Sequence, residues 1–499
     1  MLDGTGAPGV IADIAVDGEK IRRIGPALDQ PAEKTLEARG LVAAPGFIDI
    51  HAHGGAGILE RKEADSKACD GVTTEALGNC GSSPFPSNAY RSAAGFFDAV
   101  DAAGTGINRV FLVGLGSIRA FVIGPDAQTA SADDIQGMQQ ELTRALEDGA
   151  FGFSTGLIYP PGCFATADEL AEVAAAARPF HTLHSTHMRS EADHIEAAID
   201  EAEQIARAAG ARLQISHLKL AGARNWHKID WLEARLNGLR SDGLDLACDR
   251  YTYIASNTDL GVILPNWAQE GTAAERMARL KDPATRRRIE QEILALHPEP
   301  EYWDKILLAW VPDGVDRSYN GKTLRQVGEL RDQRPLDVVV DLLSQHEPKP
   351  SIVIFSMCED NLLRILSWPF VGVGSDARAR LQSEAGEGHK PHPRAYGTFA
   401  RYLGKYVRDE GILPLEEAVR KITALPAARL GLTDRGVLRA GAFADITLFD
   451  PDQVADRATF DEPQRPSAGI PHVLINGRLA VENGEPTGAL SGRMLRKQL

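Results

Sequence analysis

The sequence predicts an α/β fold: a (β/α)8 barrel with a helical insertion, plus a small β-sandwich domain formed by both termini. Three observations lead there. Strand-like apolar runs alternate with helical patterns through the middle of the 499 residues, strand-like texture fills both ends, and several middle runs stop at His, Cys or Asp. Parallel strands joined by helices produce such an alternation. No Gly-x-Gly-x-x-Gly turn follows the first strand, as a doubly wound dinucleotide-binding sheet would require.

At the start, residues 11–16 and 20–24 flank Asp17-Gly18, a hairpin signal between apolar runs. Residues 436–449 and 471–477 repeat that texture, with Asn476-Gly477 as punctuation. Residues 1–45 and 432–499 are therefore assigned to the small domain, and 46–431 to the barrel. Its strands are expected at 46–51, 71–77, 109–115, 149–154, 180–185, 212–216, 244–249 and 370–374, with helices such as 132–148, 167–177 and 191–209 between them. The long gap before the last strand holds amphipathic runs at 273–296 and 336–343, which predict an inserted helical subdomain at about 260–350.

Composition narrows the function. A 43% hydrophobic, 25% charged chain is globular, which excludes wholesale disorder. A net charge of −15 lacks the basic footprint of a nucleic-acid binder and gives no attraction to an anionic membrane. No run of about 18 uncharged apolar residues spans a bilayer. Five thinly spread cysteines without a CxxC, and a start lacking a secretory signal, predict a reduced cytoplasmic protein. Oligomeric state is not legible.

The chemistry sits where the strands end. Strand one ends at His51-Ala-His53, strand two runs into Gly78-Asn-Cys80-Gly81, strand five continues to His187, strand six reaches His217-Leu-Lys219, and strand eight ends at Ser375-Asp376. Taken singly, each has a plainer reading. His-x-His pairs are common, Cys80 suits a small buried hydrophobe, Asp376 suits a helix cap, and His187 and His217 suit ordinary core or surface positions. Jointly they place ligand-capable groups at the barrel rim where active sites of this fold assemble. His, Cys and carboxylate are the ligands Zn²⁺ favours. Alternation along a strand puts His51 with His53 and His217 with Lys219 on common faces.

These residues resemble a known family. Pro45-Gly-Phe-Ile-Asp-Ile-His-Ala-His53, Gly71-Val-Thr-Thr74, Gly78-Asn-Cys-Gly81, Thr186-His-Met-Arg-Ser-Glu191, Ser216-His-Leu-Lys219, Asn225-Trp226, Asp249-Arg-Tyr-Thr-Tyr253, Gly374-Ser-Asp376 and His392-Pro-Arg-Ala-Tyr-Gly-Thr-Phe399 look like the motifs of amidohydrolases. Within that superfamily they are similar to the D-aminoacylases, or N-acyl-D-amino-acid deacylases, over nearly the whole chain. The tail, Leu425–Leu432 with Gly441–Asp445, is typical of the wider superfamily.

The resemblance implies a metal-dependent hydrolase barrel with one tight Zn²⁺ held by Cys80, His187 and His217. It implies a weaker second site lined by His51, His53 and Asp376, which Cys80 could bridge. Cyclic amidohydrolases of hydantoinase or dihydroorotase type usually bridge their metals with a carboxylated lysine on strand four, and none stands in 149–156. The implied reaction is hydrolysis of a small-molecule N-acyl-D-amino acid, with Asp376 as general base and acid. Tyr159, Lys219, Tyr251 and Arg394 are implied to line the substrate pocket; Arg378, just past Asp376, is an added candidate by position, without a firm counterpart in the family. A cyclic amidohydrolase and a catalytically silent metal-binding barrel stand as the rival readings.

The chain departs from the family pattern at Gly54-Gly55 after His53, at Thr252 between two tyrosines, and in a long charged segment between Asp376 and His392 holding Arg378, Arg380, Glu384, Glu387 and Lys390. Relatives also carry one strand ahead of the equivalent of Met1, so either that strand is lost here or the natural start lies upstream.

Overall fold

Parallel strands carry the middle of the chain: β1 (Phe47–Asp49), β2 (Val72–Leu77), β3 (Asn108–Phe111, resumed at Val113–Gly114), β4 (Gly152–Gly156), β5 (Leu183–His187), β6 (Arg212–Ile215), β7 (Leu246–Arg250) and β8 (Val371–Val373). The computed structural model describes every residue except 30, 127, 347, 348, 385–387 and 499. Each strand pairs with the next in sequence, β1 to β2 to β3 and onward to β8. Beyond β8, Ala377–Arg378 pairs in parallel with Ala52–His53 beyond β1. The result is a mixed α/β fold dominated by parallel strands. β2 is buried at all six positions, as expected for a parallel strand covered on both faces.

The crossover helices follow from their sequences. Ala132–Glu147 starts at a capping box between Ser131 and Asp134 and buries Ile135, Met138, Leu142 and Leu146 on one stripe. Ile195–Ala209 buries Ile195, Ile199, Ala202 and Ala206 and stops at left-handed Gly210.

Both ends of the chain meet in one antiparallel sheet, where Val42–Pro45 pairs with Ile446–Phe449, followed by His472–Ile475, Arg478–Glu482 and Glu485–Pro486. The hairpin Asp13–Asp17/Lys20–Gly25 turns at Asp17-Gly18 as expected, and joins this region through a bridge between Lys20 and Phe443. Of the strand expected at 436–449, only Ile446–Phe449 forms. Gly436 and Gly441 both sit at positive φ and break the extended run before it.

The insertion differs from the all-helical expectation. It holds Ala273–Lys281, Pro283–Leu296, Leu324–Arg331 and Pro335–Gln345, but also an antiparallel sheet in which Ser351–Phe355 lies between Ala255–Asp259 and Ile306–Trp310. Ile352-Val353-Ile354 is a β-branched run that packs well on a pleated surface.

Two other boundaries matter for the site. β5 begins at Leu183 rather than 180, because Phe180 closes a 3₁₀ turn and His181 is left-handed. The helix expected from 191 begins at Ile195. Ser190 accepts the Ala192 and His194 backbone N–H groups and keeps Glu191 in a loop.

Candidate active site

The ends of β1, β2, β5, β6 and β8 bring His51, His53, Cys80, His187, His217 and Asp376 together. Cys80 Sγ lies 3.5 Å from His51 Nε2 and 3.7 Å from both His187 Nδ1 and His217 Nε2. His217 Nε2 and His187 Nδ1 are 2.9 Å apart. On the other side of the thiol, Asp376 Oδ1 is 2.9 Å from His53 Nε2 and 3.6 Å from His51 Nε2. Three overlapping groups result, Cys80/His187/His217, His51/His53/Cys80 and His51/His217/Asp376, each with its ligand atoms within 4.8 Å of one another.

This donor set fits a cation. His187 Nδ1 and His217 Nε2, aimed at each other at 2.9 Å beside a buried thiol, satisfy one another poorly. Burial would push the Cys80 thiol up; the charge of His51 and hydrogen bonds with His187, His217 and His51 outweigh it and hold it well below the ordinary range. A thiolate with two or three imidazoles suits Zn²⁺.

The backbone is bent to make the cluster. Cys80, His217 and Asp376 have φ of 52°, 38° and 52°, a left-handed conformation that non-glycine residues rarely adopt and that concentrates at functional sites. Each follows a strand end, so the chain turns sharply there and aims its side chain across the rim. The turn around Cys80 is tight. A Cβ on Gly78 would lie 1.9 Å from Leu112 O, and one on Gly81 2.6 Å from Gly156 N, so only glycine fits against β3 and β4.

A layer of buried carboxylates orients these groups, and sequence reasoning did not single it out. Asp249 Oδ1 is 3.1 Å from His51 Nδ1 and accepts the His217 backbone N–H at 2.8 Å. Glu191 Oε1 lies 2.8 Å from His217 Nδ1, and Oε2 lies 3.8 Å from His187 Nε2. Carboxylates on the far nitrogens of ligand histidines fix tautomer and ring orientation. Asp49 accepts the His51 and Ser375 backbone N–H groups and pairs with buried Lys67 at 2.6 Å, while Lys67 Nζ also donates to Ser375 Oγ at 2.5 Å. Asp49 thereby ties His51 at the end of β1 to Ser375 after β8. The signal for Glu191 and Asp249 was their place inside the Thr186–Glu191 and Asp249–Tyr253 motifs.

The residues expected to bind substrate lie around the same rim. Tyr159 stacks edge-on against His187 with ring centroids 5.1 Å apart, and its hydroxyl is 3.2 Å from Thr258 Oγ1 on the insertion. Lys219 Nζ donates to Glu191 Oε1 at 2.5 Å and lies 3.0 Å from His217 Nδ1. Arg394 Nη1 is 2.8 Å from Asp376 Oδ2, and its Nη2 donates to Asn257 O at 3.2 Å. Buried Tyr251 lies under the Arg394 guanidinium at 4.7 Å and the Lys219 ammonium at 5.9 Å. Burial alone would raise the Asp376 carboxyl; the Arg394 charge and the His53 hydrogen bond hold it well below the usual range. Glu387 lies outside the described residues. β4, Gly152–Gly156, offers Ser154 and Thr155 and no lysine.

Known proteins resemble this chain over its whole length. The profile of the amidohydrolase family matches residues 371–481. N-acyl-D-glutamate deacylase of Alcaligenes xylosoxydans xylosoxydans is 36% identical, over 100% of this chain and 95% of that protein. D-aminoacylase of the same organism is 34% identical, over 99% and 96%. The structure of N-acyl-D-glutamate deacylase from Bordetella bronchiseptica, complexed with zinc and a phosphonate that mimics the tetrahedral intermediate, superimposes with a TM-score of 0.83 at 34% identity, covering 99% of this chain and 97% of that one. The chain thus belongs to the N-acyl-D-amino-acid deacylase, or D-aminoacylase, family of amidohydrolases.

Proposed function

We propose that this protein hydrolyses the amide bond of N-acyl-D-amino acids, releasing the D-amino acid and a carboxylate. The observation that carries the reading is the buried Cys80/His187/His217 cluster with the ionised Asp376 carboxylate beside it. The preference for D-substrates is taken from the relatives, named N-acyl-D-glutamate deacylase and D-aminoacylase, at nearly equal identity.

Cys80, His187 and His217 are the residues that would hold one tight Zn²⁺, and His51, His53 and Asp376 those that would line a weaker second site. Bound there, Zn²⁺ supplies Lewis-acid polarisation of the acyl carbonyl and a lowered pKa for water. Asp376 takes a proton from the attacking water at its carboxylate and returns it to the departing amine nitrogen. Arg394 favours the ionised carboxylate from which that cycle starts. Lys219, Arg394, Tyr159 and Tyr251 form the cationic, hydroxyl-bearing wall toward which the substrate carboxylate is drawn.

In this reading the ladder from β1 to β8, returned through Ala377–Arg378 and Ala52–His53, is a closed (β/α)8 barrel at 46–431 carrying the insertion at about 260–350. Residues 1–45 and 432–499 form the small sandwich domain. Five free cysteines support a reducing, cytoplasmic setting, and among the described residues no helix is long and apolar enough to cross a membrane.

The test is a panel of N-acetyl-D- and N-acetyl-L-amino acids assayed with metal-free and Zn²⁺-reconstituted protein. Cleavage of D-substrates only after reconstitution is expected. Cleavage of hydantoins instead would replace this reading with the cyclic amidohydrolase one.

A further inference from the structure

The short helix Asp65–Cys69, with Asp70 at its end, clamps the chain that follows β8. Asp65 accepts the Gln382 N–H at 2.9 Å, and Ser66 trades two hydrogen bonds with the Arg380 backbone. Lys67 donates to Ser375, the residue before the reacting carboxylate. Buried Asp70 reaches furthest along the chain. Its Oδ2 accepts the Phe399 N–H at 2.8 Å and its Oδ1 the Ala400 N–H at 3.0 Å.

Those two N–H groups lie just past a kink. The helix Arg394–Arg401 departs from helical dihedrals at Gly397 (φ −140°, ψ 20°), one turn after Arg394. A kink interrupts the regular ladder and leaves N–H groups in need of other acceptors. Here one carboxylate takes two of them, and Ser467 Oγ donates to Asp70 Oδ1 at 2.8 Å and to Tyr396 O at 3.0 Å. Thr398 Oγ1 donates back to Arg394 O at 2.8 Å, so the turn that carries Arg394 is tied to the turn that Asp70 holds. Arg394 opens this helix and meets Asp376 Oδ2 at 2.8 Å. The kink sets the angle at which the guanidinium arrives.

We propose that Asp70 is a positioning residue for the deacylase reaction: its carboxylate holds the kink at Gly397 and through it aims Arg394 at Asp376 and the substrate wall. The inference rests on the deacylase reading and deepens its site.

The surroundings of Asp70 give this role a signature. Burial pushes its carboxyl up to about 7, against hydrogen bonds from Phe399, Ser467 and Ala400 and the charge of Lys67. Lys67 and Cys69 face it from its own helix, and Tyr253 from beyond β7. Burial keeps the last two protonated, with the thiol pushed up to about 12. The helix Arg394–Arg401 and Ser467 present N–H and hydroxyl donors to it. On protonation one oxygen becomes a donor, so one of the two N–H groups loses its strong acceptor.

The experiment measures kcat/KM for a cleaved N-acetyl-D-amino acid between about pH 6 and 8.5, with Zn²⁺-loaded protein. It compares wild type, Asp70→Asn, Arg394→Met and the double variant. At the alkaline end Asp70→Asn is expected to lose about 10-fold, within the roughly 10²-fold that a small misplacement costs. The ratio of wild type to Asp70→Asn should shrink toward one as pH falls through about 7, where wild-type Asp70 takes up a proton. Added to Arg394→Met, Asp70→Asn should cost nothing further. A residue that only supports the fold gives a ratio independent of pH and a loss that adds in full to that of Arg394→Met. Either result overturns the proposal and leaves the deacylase reading intact. Should Asp70→Asn fail to fold, Ser467→Ala removes one donor from the same carboxylate. Its smaller loss should also vanish beside Arg394→Met; a loss that persists there, or none at all, overturns the proposal. Failure to cleave any N-acyl-D-amino acid overturns both readings.

Discussion

Arg394 Nη1 meets Asp376 Oδ2 at 2.8 Å while Oδ1 of the same carboxylate faces His53 and His51. One oxygen is held by a cation and the other is presented to the site. Removing the cation should let the carboxyl pKa rise toward its ordinary value, so ionised Asp376 is lost at a higher pH than in wild type. Arg394→Met is expected to move the acid limb of the kcat–pH profile upward by about one unit or more, the scale of a neighbouring charge's effect. An acid limb that stays in place would separate Arg394 from the ionisation of Asp376.

Asp376→Asn keeps the shape and removes the proton acceptor. kcat should fall by about 10²- to 10⁴-fold, the usual contribution of a positioned general base. Zinc content, measured by elemental analysis, should be retained, because Cys80, His187 and His217 are untouched.

Glu191 sits behind two of the proposed ligands, 2.8 Å from His217 Nδ1 and 3.8 Å from His187 Nε2. Glu191→Gln should weaken Zn²⁺ binding or activity by about 10- to 100-fold, as expected when an outer carboxylate no longer fixes a ligand histidine. Competition with a chelator of known affinity reads this directly.

Lys67 and Asp49 form an ion pair with almost no solvent contact. Lys67→Met leaves the Asp49 charge buried and uncompensated, a loss of about 3–5 kcal/mol. Adding Asp49→Asn should return part of it. A cycle of the two single variants and the double variant in urea unfolding gives the coupling, and additive losses would show that the pair contributes nothing as a pair.

Lys421 lies buried at the end of the helix Leu415–Ile422, donating to Leu366 O and, at 2.7 Å, to Trp368 O. Burial pushes its ammonium down to about 7, against about 10.4 in an unfolded chain. Between those values the unfolded state binds more protons, so this group's contribution to stability rises with pH, and below about pH 7 it no longer changes. Lys421→Met should flatten the stability–pH slope between pH 7 and 10 by up to about 1.4 kcal/mol per unit, read as the difference in unfolding free energy between wild type and variant at pH 7.5 and 9.

The rim was legible because its residue types carry their chemistry with them. A single His, Cys or Asp at the end of an apolar run announces little. Their recurrence at the ends of five such runs marks one rim, and His51, His53, Cys80, His187, His217 and Asp376 do converge. The layer behind them was not legible in the same way. Asp249 matters because it reaches His51 across 198 positions, and Asp49 because it reaches Ser375 across 326. No local pattern encodes such pairs. Glu191 was hidden by good helical periodicity in the residues after it, which the Ser190 side chain interrupts. Ser351–Phe355 was missed because a short β-branched run beside amphipathic helices reads either way until its antiparallel neighbours are known.

The sheet that joins Val42–Pro45 to Ile446–Phe449 also sets a schedule for synthesis. The ribosome delivers the first of these strands early and the second near the end, so Val42–Pro45 waits without its partner while the parallel strands are made. Thr447, whose hydroxyl donates to Gly71 O at 2.8 Å across 376 positions, arrives equally late to the start of β2. A nascent chain therefore carries an open strand edge at Val42–Pro45 until Ile446–Phe449 is made, an edge open to wrong pairing meanwhile. Fastening of the two ends waits for Ile446–Phe449 to be made, whatever the state of the parallel strands between them.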